Sequence, residues 1–179
     1  MKYLPLLAKE DVEDPALKEK WFGYPFDLAL FHVMAHNPAE FVSYTTFNRT
    51  VWTEHEGGMP LLLKEIAVVQ VAVISDSSYE WGNHGAQMIR RGGSQEQVDA
   101  LIAGDVESDL FDETEKLVLK FTTEVTVDAM ATEETLTAMA EIFTPKQIGE
   151  LTYAIGCYML NSRFANLGGC VIGDDKKWN

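Results

Sequence analysis

Cysteine is scarce in this chain, with two residues in 179, Cys157 and Cys170. That excludes a disulfide framework and a structural zinc site. Both fall near the end of one expected helix, about 20 Å apart if fully helical, too far to bridge. Positive charge is also scarce: 14 Lys and Arg stand against 28 Asp and Glu, a net charge of -14. Such a field repels phosphate backbones and anionic membrane surfaces, so nucleic acid is not an expected partner. A small anionic ligand would need local cations or amide donors. Long apolar runs are missing as well. The longest, Ile66 to Ile74, is interrupted by Gln70 and falls far below the roughly 18 residues of a membrane span. Met1-Lys2-Tyr3-Leu4-Pro5 shows neither a signal-peptide core nor an Arg/Ser-rich transit pattern. The expectation is a soluble, cytoplasmic protein with no membrane partner.

What is present is the composition of an ordinary globular protein, 46% hydrophobic and 23% charged, long enough to bury a full core as one domain over 1–179. Helix start and stop signals recur at nearly every boundary and predict an all-α fold. Asp14-Pro15 opens a first helix. Phe26 to His36 forms a second, ended by Asn37-Pro38, which caps a third running to about Glu54. Pro60 begins a fourth helix to about Ser75, and the cluster Ser75-Asp76-Ser77-Ser78 separates it from a fifth ending at Gly92. Capping boxes follow at Ser94 with Gln97, Asp112 with Glu115 and Thr144 with Gln147, with Thr132 a weaker start. The last long helix runs from Pro145 to near Leu167, and a polar tail follows from Asp174 to Asn179. One segment, Ile66 to Ile74, is β-branched enough for a buried strand. Its continuity with Leu61 to Glu65 favours a helix.

Three residues stand out chemically. At 100° per residue, Glu65 shares a helix face with Leu61, Leu62, Val68, Val69 and Ala72. A carboxylate in an apolar stripe needs a partner, and desolvation moves its pKa toward the range useful for proton transfer. The bland alternative is a structural ion pair with Arg49, Arg90, Arg91 or Arg163. Glu80 and His84 are four apart and so adjacent on one helix face, an acid beside an imidazole. Trp81 and Met88 lie on the same side, while Gly82 and Gly85 sacrifice about 1 kcal/mol each in helix propensity, which asks for close packing or room for a ligand. Against a catalytic reading, Ser77 with Glu80 also fits a capping box, and His84 can be a satisfied core histidine. His32 and His36 are at metal-chelating spacing, but the Asn37-Pro38 break keeps Glu40 off their face, so no metal is expected. Tyr153, Tyr158, Asn161 and Arg163 on the last helix read as core rather than pocket.

Taken together, Lys64-Glu65-Ile66-Ala67, then Tyr79-Glu80-Trp81 to His84, then Gly92-Gly93 and a capped helix resemble the carboxymuconolactone decarboxylase family and its alkylhydroperoxidase-like relatives. The likeness runs from about Pro60 to Leu101. It implies a compact orthogonal multi-helix bundle, with 60–168 as core and 1–59 as an N-terminal helical extension carrying the weaker His36-Asn37-Pro38 signature. The peroxidase branch carries C-x-x-C-x-x-x-H after its glutamate. Here Ser77 and Glu80 occupy both cysteine positions and His84 the histidine, so thiol peroxide chemistry is not expected. The decarboxylase branch implies proton delivery to carbon with no metal or organic cofactor. The expectation is therefore a lyase or isomerase on a small cyclic carboxylate or lactone, with Glu65, Glu80 and His84 catalytic and Ser77, Trp81, Met88 and His36 around the substrate. The resemblance also implies a trimer or hexamer. The alternatives are a ligand-binding member without catalysis and residual peroxidase activity through Cys157 or Cys170.

Overall fold

Three of the capping boxes read from the sequence are used. In a computed structural model, which describes residues 3–177, Ser94, Asp112 and Thr144 each accept a hydrogen bond from the backbone N–H three residues on, and Gln97, Glu115 and Gln147 reach back to close the motif. Thr132 caps through Thr135 N–H. Between these starts run α1 (Pro15–Phe22), α2 (Ala29–Met34), α3 (Pro38–Trp52), α4 (Leu61–Ile74), α5 (Ser78–Arg90), α6 (Gln95–Ala103), α7 (Glu113–Asp128), α8 (Glu133–Ile142) and α9 (Pro145–Gly168). Among the described residues there is no strand, and the fold is all-α. The β-branched run is the inside of α4. Buried continuously from Leu63 to Ala72, it is wrapped on all sides, and burial outweighs its modest helix propensity.

Two departures have local causes. Helix α2 begins at Ala29 rather than Phe26, because Leu28 is extended and Asp27 is engaged elsewhere. Asp27 accepts from Trp21 Nε1 at 2.8 Å and pairs with Lys9 at 2.8 Å. The C-terminal residues are also more than a polar tail. Asp174–Lys177 forms a 3-10 turn with Asp174 buried; of the expected tail, residues 178 and 179 lie outside the described part.

The core divides into two apolar clusters. The larger gathers α4 with Leu151, Ala154, Ile155 and Tyr158 of α9 and with α6 to α8. The smaller joins the N-terminal Leu17, Trp21, Phe31 and Phe41 to Tyr79, Ala165 and Cys170. Helix α9, about 36 Å long at 1.5 Å per residue, belongs to both. At its end Gly168 lets Val33 of α2 approach where a Cβ would overlap it.

Candidate active site

Helix α4 delivers Glu65 into the protein interior at 1% exposure. One carboxylate oxygen accepts from His84 Nδ1 at 2.7 Å and the other from Arg91 Nε at 2.8 Å. A carboxylate only accepts, so Nδ1 carries the imidazole proton in this pair and Nε2 keeps its lone pair. Nε2 faces Glu80, one turn back on α5, whose nearer oxygen is 3.9 Å away. That gap is too long for a direct hydrogen bond. The two groups are neighbours in space without being bonded to each other. Glu80 is 2% exposed, and its second oxygen has no hydrogen-bond partner. Burial pushes its pKa up to about 7, the positive side of His84 opposes this, and the Asp175 carboxylate adds to it. The three residues singled out from the sequence, with Arg91, thus lie in one row, Arg91–Glu65–His84–Glu80, hydrogen-bonded at its first two steps. Arg91, one of the ion-pair partners weighed for Glu65, thus shares its carboxylate with His84.

The walls of the site come from Trp52, which the sequence did not point to, and from Tyr158, which the sequence assigned to the core. Trp52, at the end of α3, stacks on the His84 ring at 5.3 Å and 18°, and Tyr158 of α9 meets it edge-on at 4.4 Å. Trp52 Nε1 donates to the Tyr158 hydroxyl at 2.8 Å, locking the two together. The Arg91 guanidinium lies over Trp52 at 5.4 Å. These aromatic faces exclude water from most of the ring, whose side chain keeps 14% exposure. Burial drives Tyr158 and Tyr44 well above the usual phenol range, with the Glu80 carboxylate adding to both, so both hydroxyls are protonated. Cys157 lies near the same acid. Burial raises its thiol to about 11, only partly offset by the Asn48 amide 3.6 Å away, and Glu80 raises it further.

The remaining residues picked out from the sequence scatter. Ser77 is the N-cap of α5, yet its hydroxyl caps nothing: it is fully buried without a partner. The expected capping box with Glu80 is therefore not formed, which frees the Glu80 side chain for His84. Trp81 is half-buried against the larger core, and Met88 is wholly enclosed in it. His36 turns to the Pro5 carbonyl at 2.7 Å and lines a separate cleft with Leu7, Asp14 and Pro38. It does not join the site. His32, its neighbour at chelating spacing, bonds the Leu7 carbonyl instead. Among the described residues no group of three or more His, Cys, Asp or Glu stands in a metal-binding arrangement.

Residues 40–124 match the carboxymuconolactone decarboxylase family, a span that begins earlier than Pro60 and so takes in Trp52. A crystal structure described as an alkylhydroperoxidase AhpD core, a peroxidase-related protein from Ralstonia eutropha JMP134, superposes with a TM-score of 0.80 at 20% identity, covering 97% of this chain and 93% of that one. A putative antioxidant defence protein AhpD from Agrobacterium tumefaciens gives 0.65 at 18% identity, over 75% of this chain and 91% of the other. A debrominase, solved as a cysteine-to-alanine variant with 2,3,4-tribromopyrrole, gives 0.76 at 15% identity, over 99% and 95%. At these identities the structures establish a shared fold. No curated protein is recognisably similar.

Proposed function

We propose that this chain, a carboxymuconolactone decarboxylase-like protein on the alkylhydroperoxidase-like fold, is a cofactor-independent acid–base lyase or isomerase of a small cyclic carboxylate or lactone. The observation that carries this reading is the 2.7 Å Glu65–His84 pair facing a second, proton-holding carboxyl at Glu80. A carboxyl raised toward neutrality by burial is a usual means of holding a proton ready for acid–base chemistry. In a decarboxylation the bond from the ring carbon to CO₂ breaks, its electron pair stays on that carbon in conjugation with the lactone carbonyl, and a proton fills the vacated position. Glu80 gives its proton to the Nε2 lone pair, and the imidazolium so formed delivers it to that carbon. Glu65 fixes the tautomer and balances the imidazolium. Glu80 then regains a proton from solvent, replacing the one consumed in each turnover.

Two other readings are weaker. Peroxide reduction needs a thiolate, and Cys157, raised to about 11, is a thiol at neutral pH. A non-catalytic ligand-binding member would not require the arrangement around His84. The same proposal includes a cytoplasmic homo-oligomer, a trimer or hexamer. Its support is the outer side of α9, where Tyr153, Leu160 and Leu167 stay exposed at 65%, 42% and 44%. For location the structure shows only that no helix among the described residues is long and apolar enough to cross a membrane.

The test is turnover of a panel of carboxylated lactones and cyclic carboxylates as a function of pH. The expected kcat/KM profile is bell-shaped, and His84→Ala abolishes it while the far-ultraviolet circular dichroism is unchanged. A folded His84→Ala protein that retains turnover sinks the proposal, and saturable binding without turnover favours the binding member.

A further inference from the structure

The last described residues, 170–177, lie across α5 on the side away from His84, and their contacts converge on the turn that bears Glu80. Asp175 is the centre of the arrangement. Its Oδ1 accepts from the Tyr79 hydroxyl at 2.8 Å and from the Ala29 backbone N–H at 2.7 Å, and its Oδ2 accepts from Asn83 Nδ2 at 3.2 Å. Tyr79 and Asn83 flank Glu80 on successive turns, so one carboxylate bridges the helix on either side of the acid. Between them Gly82 presents no side chain, and Ile172 fills the place where a Cβ would stand. This accounts for a glycine that is costly in mid-helix: it is the seat for the crossing segment. The segment is built to hold that position. Gly169 and Gly173 adopt φ of 64° and 84°, Asp174 accepts from Val171 N–H at 2.8 Å and pairs with Lys177, and Cys170 is buried in the smaller core.

We propose that the C-terminal segment is a clamp on the acid–base pair, in which Asp175 is a positioning residue that holds the Glu80 turn in register and places a second negative charge beside Glu80. The charge matters because two carboxylates in a dry region resist being ionised together. Other groups acting on Glu80 are His84 on α5, which opposes the effect, and the protonated Tyr44, Tyr79, Cys157 and Tyr158 from α3, α5 and α9. Among these groups Asp175 adds negative charge; the other carboxylate of the cluster, Glu65 of α4, lies beyond His84 and is paired with Arg91. The clamp deepens the proposed acid–base function, yet its test needs no substrate.

The experiment follows the carboxyl carbon of Glu80 by NMR in full-length protein labelled with 13C-glutamate, the resonance being assigned by its loss in Glu80→Gln. In Asp175→Asn, which keeps the shape and the oxygen serving Tyr79 and Ala29 while removing the charge and the acceptor for Asn83, the Glu80 midpoint is expected to fall by about one unit. In Asp175→Ala the midpoint should also fall, and amide exchange of residues 79–83 should quicken. Gly82→Ala, which evicts Ile172 without touching a charge, should quicken the same amides and leave the midpoint closer to the native one. An unchanged midpoint in a folded Asp175→Asn protein overturns the clamp. If the protein turns over no substrate while the midpoint shifts, the clamp stands and the catalytic reading falls; turnover without a shift has the opposite meaning.

Discussion

Glu80 is held almost without water, and its raised pKa has a thermodynamic consequence that does not depend on any substrate. In the unfolded chain it ionises near its ordinary 4.5, in the folded protein at about 7. The folded state therefore binds the proton more tightly, and its advantage, complete below pH 4.5, is lost as pH rises through 7. Above that the protein carries the full cost of a buried carboxylate, on the order of a few kcal/mol at 1.36 kcal/mol per unit. Glu80→Gln removes the ionisation. It should match the native protein in urea denaturation at pH 4 and exceed it in stability at pH 8.5, the two curves parting between pH 4.5 and 7. Equal stability at both pH values would mean that Glu80 is not held in a dry place. At this scale the sequence was informative about polarity and poor about neighbours. A glutamate in an apolar stripe and an acid four residues before a histidine are local patterns, so Glu65, Glu80 and His84 could be picked out. Trp52 and Tyr158 reach His84 through tertiary packing alone, and Asp175 reaches α5 from the opposite end of the chain.

Elements were legible in proportion to how local their signals are. Helices α6, α7 and α9 begin at Ser94, Asp112 and Thr144 because a short side-chain oxygen and an acid or amide three residues on satisfy orphan N–H groups within one turn. Helix α2 starts later than its apolar pattern suggests, since Asp27 serves Trp21 and Lys9, contacts that helical periodicity does not encode. The same pattern reading placed Ser77 in a capping box that tertiary burial dissolves. Glycines within α9 show how one residue type has opposite meanings. Gly156 is exposed with open space around it, so Gly156→Ala should stabilise the chain by about 1 kcal/mol through helix propensity alone. Gly168 touches Val33 where a Cβ would overlap, and Gly168→Ala should cost roughly 1–3 kcal/mol through overpacking. Chemical denaturation of the two variants, at a concentration where the association state is unchanged, decides this. Two effects of the same sign would show that the α2–α9 contact is not as close as described.

On the scale of the whole molecule, the charge of -14 sets how a ligand arrives rather than how it is turned over. The field works against an anionic substrate at long range, and the cation next to the site, Arg91, is already half committed to Glu65. Its guanidinium, 27% exposed on the side chain and lying over Trp52, acts only within a few ångströms. Salt should separate the two. Raising ionic strength from about 10 to about 200 mM shortens the screening length from roughly 30 Å to under 10 Å, which removes most of the distant repulsion and little of the contact at Arg91. For a carboxylated lactone kcat/KM should therefore rise severalfold over that range, while for the neutral lactone of the same ring it should stay flat. A fall for the carboxylate would show that local attraction by Arg91 outweighs the net charge at the mouth of the site. Such a result would make Arg91→Gln, rather than added salt, the way to reveal how the substrate anion is held.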